Sequence, residues 1–385
     1  MEYCLDEQQE ALRGLARRIA EERILPVRAE LDETEEFPWA IMKDLADSDV
    51  FRVFVPEEYD GLGGGCLDLC LVIEELSRVC SGVALSYAAS ALGASALLQF
   101  GSEEQKQKYL PDIAAGKRLA AFALTEPSAG SDASAIKTTA ERAPAGWVLN
   151  GTKQFITNGG EAEIYTVIAL TDKTRGARGA SAFVVEKDTP GFSFGKKEKK
   201  MGIRASATRE LVFRNCLIPA ENIIGGEGMG FIMTMKVLDR ARPGVGAQAV
   251  GIAQGALEAA VDYAQNRIQF GHPIIALPVV QSMLAEMATR VEAARALVYA
   301  TARTIDSGAK NFTEEASMAK VFASDTAMKV TTDAVQVFGG AGYMRDYPVE
   351  KMMRDAKITQ IYEGSNEVLR GTIAVGLRKR KGKRP

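Results

Sequence analysis

The sequence predicts a mainly α-helical protein with a β-domain inserted between two helical parts. Apolar residues recur at three- and four-residue spacing before about residue 120 and again after 233. From 121 to 232 the pattern changes to alternation punctuated by Gly, Asn, Asp and Pro. A chain of 385 residues is too long for one simple core and suits two or three domains. The expected boundaries are 1–120, 121–232 and 233–385. No internal repeat is evident.

In the first part, LDEQQEALRGLARRIAEERILP sets Leu12, Leu15, Ala16 and Ile19 on one helical stripe and closes at Pro26. PEEYDGLGGG, residues 56–65, is a loop, and LDLCLVIEELSRV resumes the helix. GSEEQKQKYLP, 101–111, opens a helix on a capping box, Ser102 with Gln105 three residues on. In the middle part GWVLNGTKQFITNGG, YTVIALT, ASAFVVEKDTPGFSF and TRELVFRNCLIP predict strands of a small antiparallel β-domain. The last part returns to longer helices. Ala253, Ala256, Leu257, Ala260, Val261 and Ala264 mark one stripe. Val280, Met283, Leu284, Met287, Val291, Ala294 and Val298 mark a second, and both suit a helical bundle. The final RKRKGKRP carries six basic residues in eight, either a solvated tail or a contact for something anionic.

Lys plus Arg number 47 against 50 Asp plus Glu, a net charge of −3, so no global charge points to nucleic acid. No apolar run reaches the roughly 18 residues expected of a membrane span. The N-terminus, MEYCLDEQQE, is acidic and polar, unlike a signal or transit peptide, which leaves a cytoplasmic, bacterial-type protein as the expectation. Cys4, Cys66, Cys70, Cys80 and Cys216 lack zinc-type pairing and are expected as buried reduced thiols. His272, in the turn-like FGHP, is the only histidine. A Ser-His-Asp triad, a Cys-His pair or a multi-histidine metal centre would have to use it, so no metal site is expected. Proton chemistry then falls mainly to Asp, Glu, Lys, Tyr or Cys.

Three glycine-rich stretches invite a nucleotide reading and fail it. GLGGGC at 61–66 ends in Cys66 and follows no Rossmann-type strand, and GGEGMG and FGGAG also miss the fingerprint. FALTEPSAGSD, 122–132, joins the first helical part to the β-domain. It offers Thr125, Ser128 and Ser131 hydroxyls beside Gly130, as a polar turn or as a ligand loop. QFITNGG, 154–160, sets a ring, an apolar residue and a hydroxyl in succession. ITQIYEGSNEVLRG, 358–371, puts Glu363 between Tyr362 and Gly364, just before a helix start. It is either a solvated acid favouring the helix dipole or a carboxylate tuned by burial into a base.

Taken together and in order, PEEYDGLGGG, GSEEQKQKYLP, LTEPSAGSD, FITNGG, DTPGF, MGIRAS, DRARP, RIQFG, VQVFGGAGY and YPVEKMMRDAKITQIYEGSNE resemble the acyl-CoA dehydrogenases over nearly the whole chain. The resemblance implies an N-terminal helical domain, a β-barrel-like middle domain and a C-terminal four-helix bundle. It implies FAD as cofactor, a homotetramer with FAD across a dimer interface, an acyl-CoA substrate and an electron-transferring flavoprotein as acceptor.

By position, Phe122, Leu124, Thr125, Gly130, Ser131, Phe155, Ile156 and Thr157 would line the flavin, with Phe155 where the family more often has Trp. Arg267, Gln269, Phe270, Gln336, Val337, Gly339 and Gly340 would reach the FAD of a neighbouring subunit, and Ser365 and Glu367 the chain's own. Ser131, Asp239 to Arg242, Tyr362 and Gly364 would contact substrate. Pro278 stands where many relatives have a Gln that touches FAD. Glu363 would be the base, taking the α-proton of the thioester while hydride leaves the β-carbon for flavin N5. Some relatives carry the base beside DRARP, which is expected to begin a helix of the bundle, but Ala241 holds that position here.

Two other readings compete. An acyl-CoA oxidase using oxygen is usually much longer, with an extra C-terminal domain. A non-catalytic scaffold of the same fold has no use for Glu363, Thr125, Ser131 and Thr157. The acyl group stays open among short straight, branched and cyclic chains.

Overall fold

The computed structural model describes residues 3–381. Six helices come first: α1 (Glu7–Ile19), α2 (Arg28–Thr34), α3 (Trp39–Asp47), α4 (Cys66–Val79), α5 (Ser81–Phe100) and α6 (Glu103–Ala114). Eight strands follow: β1 (Ala120–Ala123), β2 (Thr139–Ala143), β3 (Gly146–Thr157), β4 (Ile164–Leu170), β5 (Ala180–Glu186), β6 (Phe192–Lys197), β7 (Thr208–Ile218) and β8 (Ile223–Ile224). The chain then returns to helices: α7 (Gly230–Asn266), α8 (Pro278–Asp306), α9 (Thr313–Phe338), α10 (Val349–Thr359) and α11 (Asn366–Lys381). A small hairpin, β9 (Ile268–Gln269) with β10 (His272–Pro273), separates α7 from α8 and carries His272.

Local signals set several of these elements. Ser102 caps α6 as expected, in a reciprocal capping box with Gln105, and Asp6 with Gln9 does the same for α1. Both predicted stripes of the last part turn inward. Ala253, Ala256, Ala260 and Ala264 are buried on α7, as are Val280, Leu284, Met287, Val291, Ala294 and Val298 on α8.

The strands form one sheet in the order β6-β7-β3-β2-β4-β5-β8, with β1 alongside β4. This corrects the antiparallel expectation. β1 runs parallel to β4, and β2 touches β4 in parallel through Thr139 and Leu170. The chain reaches β4 from β1 by way of the β2–β3 hairpin. That crossover is a non-local feature, and alternation within a strand does not encode it.

α5 packs directly on β1. A Cβ at Gly93 would lie 2.5 Å from the Ala121 nitrogen, so only glycine fits this crossing. By length and composition α5 passes as a membrane-spanning helix, yet 67% of that window is buried inside the fold.

Two further expectations change. DRARP does not begin a helix: α7 starts at Gly230 and runs through Pro243, which sits inside it. Pro normally breaks a helix, and here packing on both sides of α7 outweighs its lost hydrogen bond. Cys4 is exposed, whereas the other four cysteines are buried free thiols. The basic tail beyond residue 381 lies outside the described residues.

Candidate active site

α5 and α7 run antiparallel as the two walls of a cavity of about 710 Å³. Gln248 donates to Ser81 Oγ at 2.7 Å, so the start of α5 meets the middle of α7. At the opposite end Lys236 lies over the Phe100 ring. The lining near Val245, Gln248, Ala89 and Ala91 is buried, while Phe231, Met235, Ser95 and Leu98 are only partly so. The cavity is therefore closed at the first end and opens toward the second.

The β-domain supplies a third wall: Phe122, Leu124, Thr125, Gly130, Ser131, Phe155, Ile156 and Thr157 all line the cavity. A register shift between Lys153 and Ile156 breaks the β3–β7 ladder. It turns Phe155 to φ +59 and leaves its ring 57% exposed, while the Ile156 side chain stays in the core. A buried ion pair fixes the loop opposite. Lys153 Nζ donates to Glu126 at 2.8 Å and to the Leu124 carbonyl at 2.9 Å. Glu126 also accepts the Lys137 and Thr138 N–H groups, and Gln154 N–H donates to the Thr125 carbonyl. Burial pulls the Lys153 ammonium down to about 8 against the pull of Glu126.

The fourth side is the loop between α10 and α11. Glu363 takes φ +52 and Gly364 φ +93. A left-handed non-glycine residue costs of order 1–3 kcal/mol, and such strain clusters where function needs a fixed geometry. The Glu363 side chain lines the cavity, and its Oε2 is sealed from solvent without a hydrogen-bond partner. Burial raises its carboxyl to about 7, against the opposing pull of Arg242 and Lys320. The Glu363 N–H makes no hydrogen bond to a described residue. Ala241 also lines the cavity. Arg242 lines it too and is ion-paired to Asp239, which takes a further hydrogen bond from Thr313.

Fourteen of the sequence-predicted site residues thus converge on one cavity: the eight of the β-domain wall with Arg240, Ala241, Arg242, Tyr362, Glu363 and Gly364. The rest lie elsewhere. Asp239 acts on the site through Arg242. Arg267, Gln269 and Phe270 sit on the exposed hairpin, Phe270 at 85% exposure. At the C-terminal end of α9, Gln336, Gly339 and Gly340 are exposed and Val337 is buried. Ser365 accepts the Val368 N–H at the start of α11, and Glu367 is exposed. Pro278 begins α8.

Sequence reasoning missed Gln248, whose Oε1 accepts the Tyr362 hydroxyl, and Lys320, which is fully buried beside the Glu363 loop. A lone Lys on the apolar face of α9, among Ala316, Ala319 and Ala323, was the available signal.

The residues present fit an FAD isoalloxazine. An exposed ring, Phe155, faces a wall of three hydroxyls, Thr125, Ser131 and Thr157. None of these pairs with a described residue, in a cavity larger than an acyl chain needs. Among the described residues no cluster of His, Cys, Asp and Glu is arranged to hold a metal ion.

Comparison with known proteins gives one consistent match. Residues 6–117 match the family described as acyl-CoA dehydrogenase, N-terminal domain, 121–216 the middle domain and 228–377 the C-terminal domain. An acyl-CoA dehydrogenase of Bacillus subtilis (strain 168) is 50% identical over 370 residues, 96% of this chain and 97% of that protein. Butyryl-CoA dehydrogenase from Megasphaera elsdenii superposes with TM-score 0.96 at 45% identity, covering 98% of this chain and 100% of that one. A chain solved in work on the electron transferring flavoprotein of Acidaminococcus fermentans also gives TM-score 0.96, at 49% identity, covering 98% and 99%.

Proposed function

The chain belongs to the acyl-CoA dehydrogenase family, and on that premise we propose that it oxidises a short-chain acyl-CoA to the trans-2-enoyl-CoA with Glu363 as base. It is an oxidoreductase whose cofactor is FAD. One observation carries the reading: a carboxylate whose Oε2 is sealed without a hydrogen-bond partner is held in a strained turn that lines the same cavity as the hydroxyl-bearing β-domain wall.

FAD, when bound along that wall, supplies at N5 the acceptor for the β-hydride. The protein's own residues do the rest. Glu363 takes the α-proton, and a carboxyl raised to about 7 is matched to that work near neutral pH. The free Glu363 N–H is available to the thioester oxygen, stabilising the enolate-like charge as the proton leaves. Thr125, Ser131 and Thr157 hold the cofactor by their hydroxyls. Arg242 holds substrate at the cavity wall, steadied by Asp239.

Residues on the hairpin and at the end of α9 do not line this cavity. They fit contacts to a neighbouring subunit's FAD in a homotetramer, with domains divided at 1–120, 121–232 and 233–385. The Acidaminococcus chain supports an electron-transferring flavoprotein as acceptor. Purified protein is expected to be yellow, with about one FAD per chain, and oligomeric. Butyryl-CoA should bleach it without oxygen, and an electron-transferring flavoprotein should restore the colour. A colourless monomer that takes up no FAD on reconstitution contradicts the reading.

The closed end of the cavity sets chain length. The Tyr362 hydroxyl bonds Gln248, and Gln248 bonds Ser81, so a longer acyl chain must break a buried polar chain. Gln248→Ala removes it. The ratio of kcat/KM for hexanoyl-CoA over butyryl-CoA is then expected to rise about tenfold or more, since a methylene is worth roughly 1–3 kcal/mol in such a pocket. An unchanged ratio would show that another element closes the cavity.

A further inference from the structure

The Glu363 turn is gripped from α9. Lys320, with no exposed surface, donates to the Gly364 carbonyl at 2.8 Å and to Asn366 Oδ1 at 2.9 Å. Asn366 in turn donates to Ser324 Oγ at 2.9 Å and to Asp325 at 2.8 Å. Gln360, at the other end of the loop, donates to Asp325 at 2.7 Å, and its carbonyl accepts the Asn366 N–H. Three residues of one helix therefore hold the loop at its start, at its end and at the Gly364 carbonyl just after the base.

Lys320 is the costly member of this set. A buried ammonium is expensive unless its charge is compensated. Yet both its hydrogen-bond acceptors are neutral, a peptide carbonyl and an amide oxygen. The charges around Lys320 and Glu363 come from three helices. α7 brings Arg242, whose charge is shared with Asp239. α9 brings Lys320 and Asp325, and Asp325 is bridged to Arg370 of α11. α11 also brings Glu367, which is exposed. On the loop itself the neighbouring titratable group is Tyr362, bonded to Gln248. Lys320 is thus a buried cation with no anion in hydrogen-bond contact, and its acceptor Gly364 adjoins Glu363, whose sealed Oε2 has no hydrogen-bond donor.

We propose that Lys320 is a positioning residue for the reaction. Through Gly364 it fixes the turn that aims Glu363 into the cavity, and its charge keeps the Glu363 carboxyl ionised when it must accept a proton. The proposal rests on the reading of Glu363 as base. Burial raises the carboxyl while Arg242 and, after it, Lys320 pull it back down, which is how a group that deeply placed still ionises near neutrality.

The test uses Lys320→Met holoenzyme and two readouts. One is the pH dependence of anaerobic flavin reduction by butyryl-CoA. The other is the infrared titration of the carboxyl band that Glu363→Gln abolishes. Loss of a nearby positive charge makes the carboxyl harder to ionise. Both the acid limb of the rate and the band should therefore move to higher pH by about one unit or more, with a roughly fivefold or greater loss of rate at the natural midpoint. Lys320→Arg, which keeps the charge, should hold both near their natural position. If the methionine chain does not fold, Lys320→Gln, polar and neutral, carries the same expectation. A limb and a band that stay in place in a flavin-loaded neutral variant overturn the proposal. If Glu363→Gln is inactive while they stay in place, only the role of Lys320 fails. If Glu363→Gln keeps its rate, the underlying reading fails.

Discussion

Glu363→Gln is expected to keep its flavin and its acyl-CoA affinity while its flavin is reduced about 10²–10⁴-fold more slowly, the usual worth of a positioned general base. Gln preserves size and hydrogen-bonding shape but cannot take the α-proton. No substitute stands close. Ala241 holds the neighbouring position on the cavity wall, and Asp239 is engaged by Arg242 and Thr313. The same substitution has a stability signature. The Glu363 carboxyl is raised in the folded chain, so the folded state holds its proton more tightly than the unfolded state does. Its contribution is intact below the ordinary carboxylate range of about 4.3 and is lost as pH rises through about 7. Gln removes that penalty. The variant should therefore melt above the natural protein at pH 8, with the gap closing toward pH 4 to 5. Equal melting at both ends of that range would mean that the carboxyl is not held in the sealed setting described. Moving the carboxylate, as Glu363→Gly with Ala241→Glu, should restore part of the reduction rate lost in Glu363→Gly, because both positions line one cavity.

Lys153→Met is expected to be the most damaging change outside the reacting centre. It leaves Glu126 charged and buried, and breaking such a pair costs roughly 3–5 kcal/mol. That is a large part of a stability of about 5–15 kcal/mol. It also frees the Leu124 carbonyl, so residues 122–131 lose one of their two anchors on β3, the Gln154 N–H to the Thr125 carbonyl being the other. Thermal melting should drop steeply and flavin content should fall with it. The double change Lys153→Met with Glu126→Gln should be milder than the single one, because no unpaired charge stays buried. A single variant that melts with the natural protein and keeps its flavin would remove the ion pair from the account.

What the sequence told in advance follows from what is local. The capping box at Ser102 and Gln105 needs three residues of context, and the stripes of α7 and α8 need only a period, so both were legible. The parallel docking of β1 on β4 was not, because it depends on a crossover between segments about forty residues apart. DRARP looked like a helix start because Pro favours that position, and only the packing of α7 reveals Pro243 in its interior. At the site, IYEGSNE drew attention to Glu363, yet the motif alone left it between solvated acid and base. The strained turn, the sealed oxygen and the nearby cations are tertiary facts. Gln248 and Lys320 were hidden for the same reason. Each is a polar residue on an otherwise apolar helix face, and its partner lies on a segment far along the chain.

Removal of the α-proton by Glu363 is the central step, and one measurement addresses it. Holoprotein is mixed without oxygen with butyryl-CoA carrying deuterium at Cα, and the oxidised flavin absorbance is followed in the natural chain and in Glu363→Gln. The account predicts bleaching in the natural chain, slower with the deuterated than with the unlabelled thioester, and almost none in the variant on the same timescale. A flavin that stays oxidised in the natural chain, or one that bleaches at a comparable rate in Glu363→Gln, would contradict it.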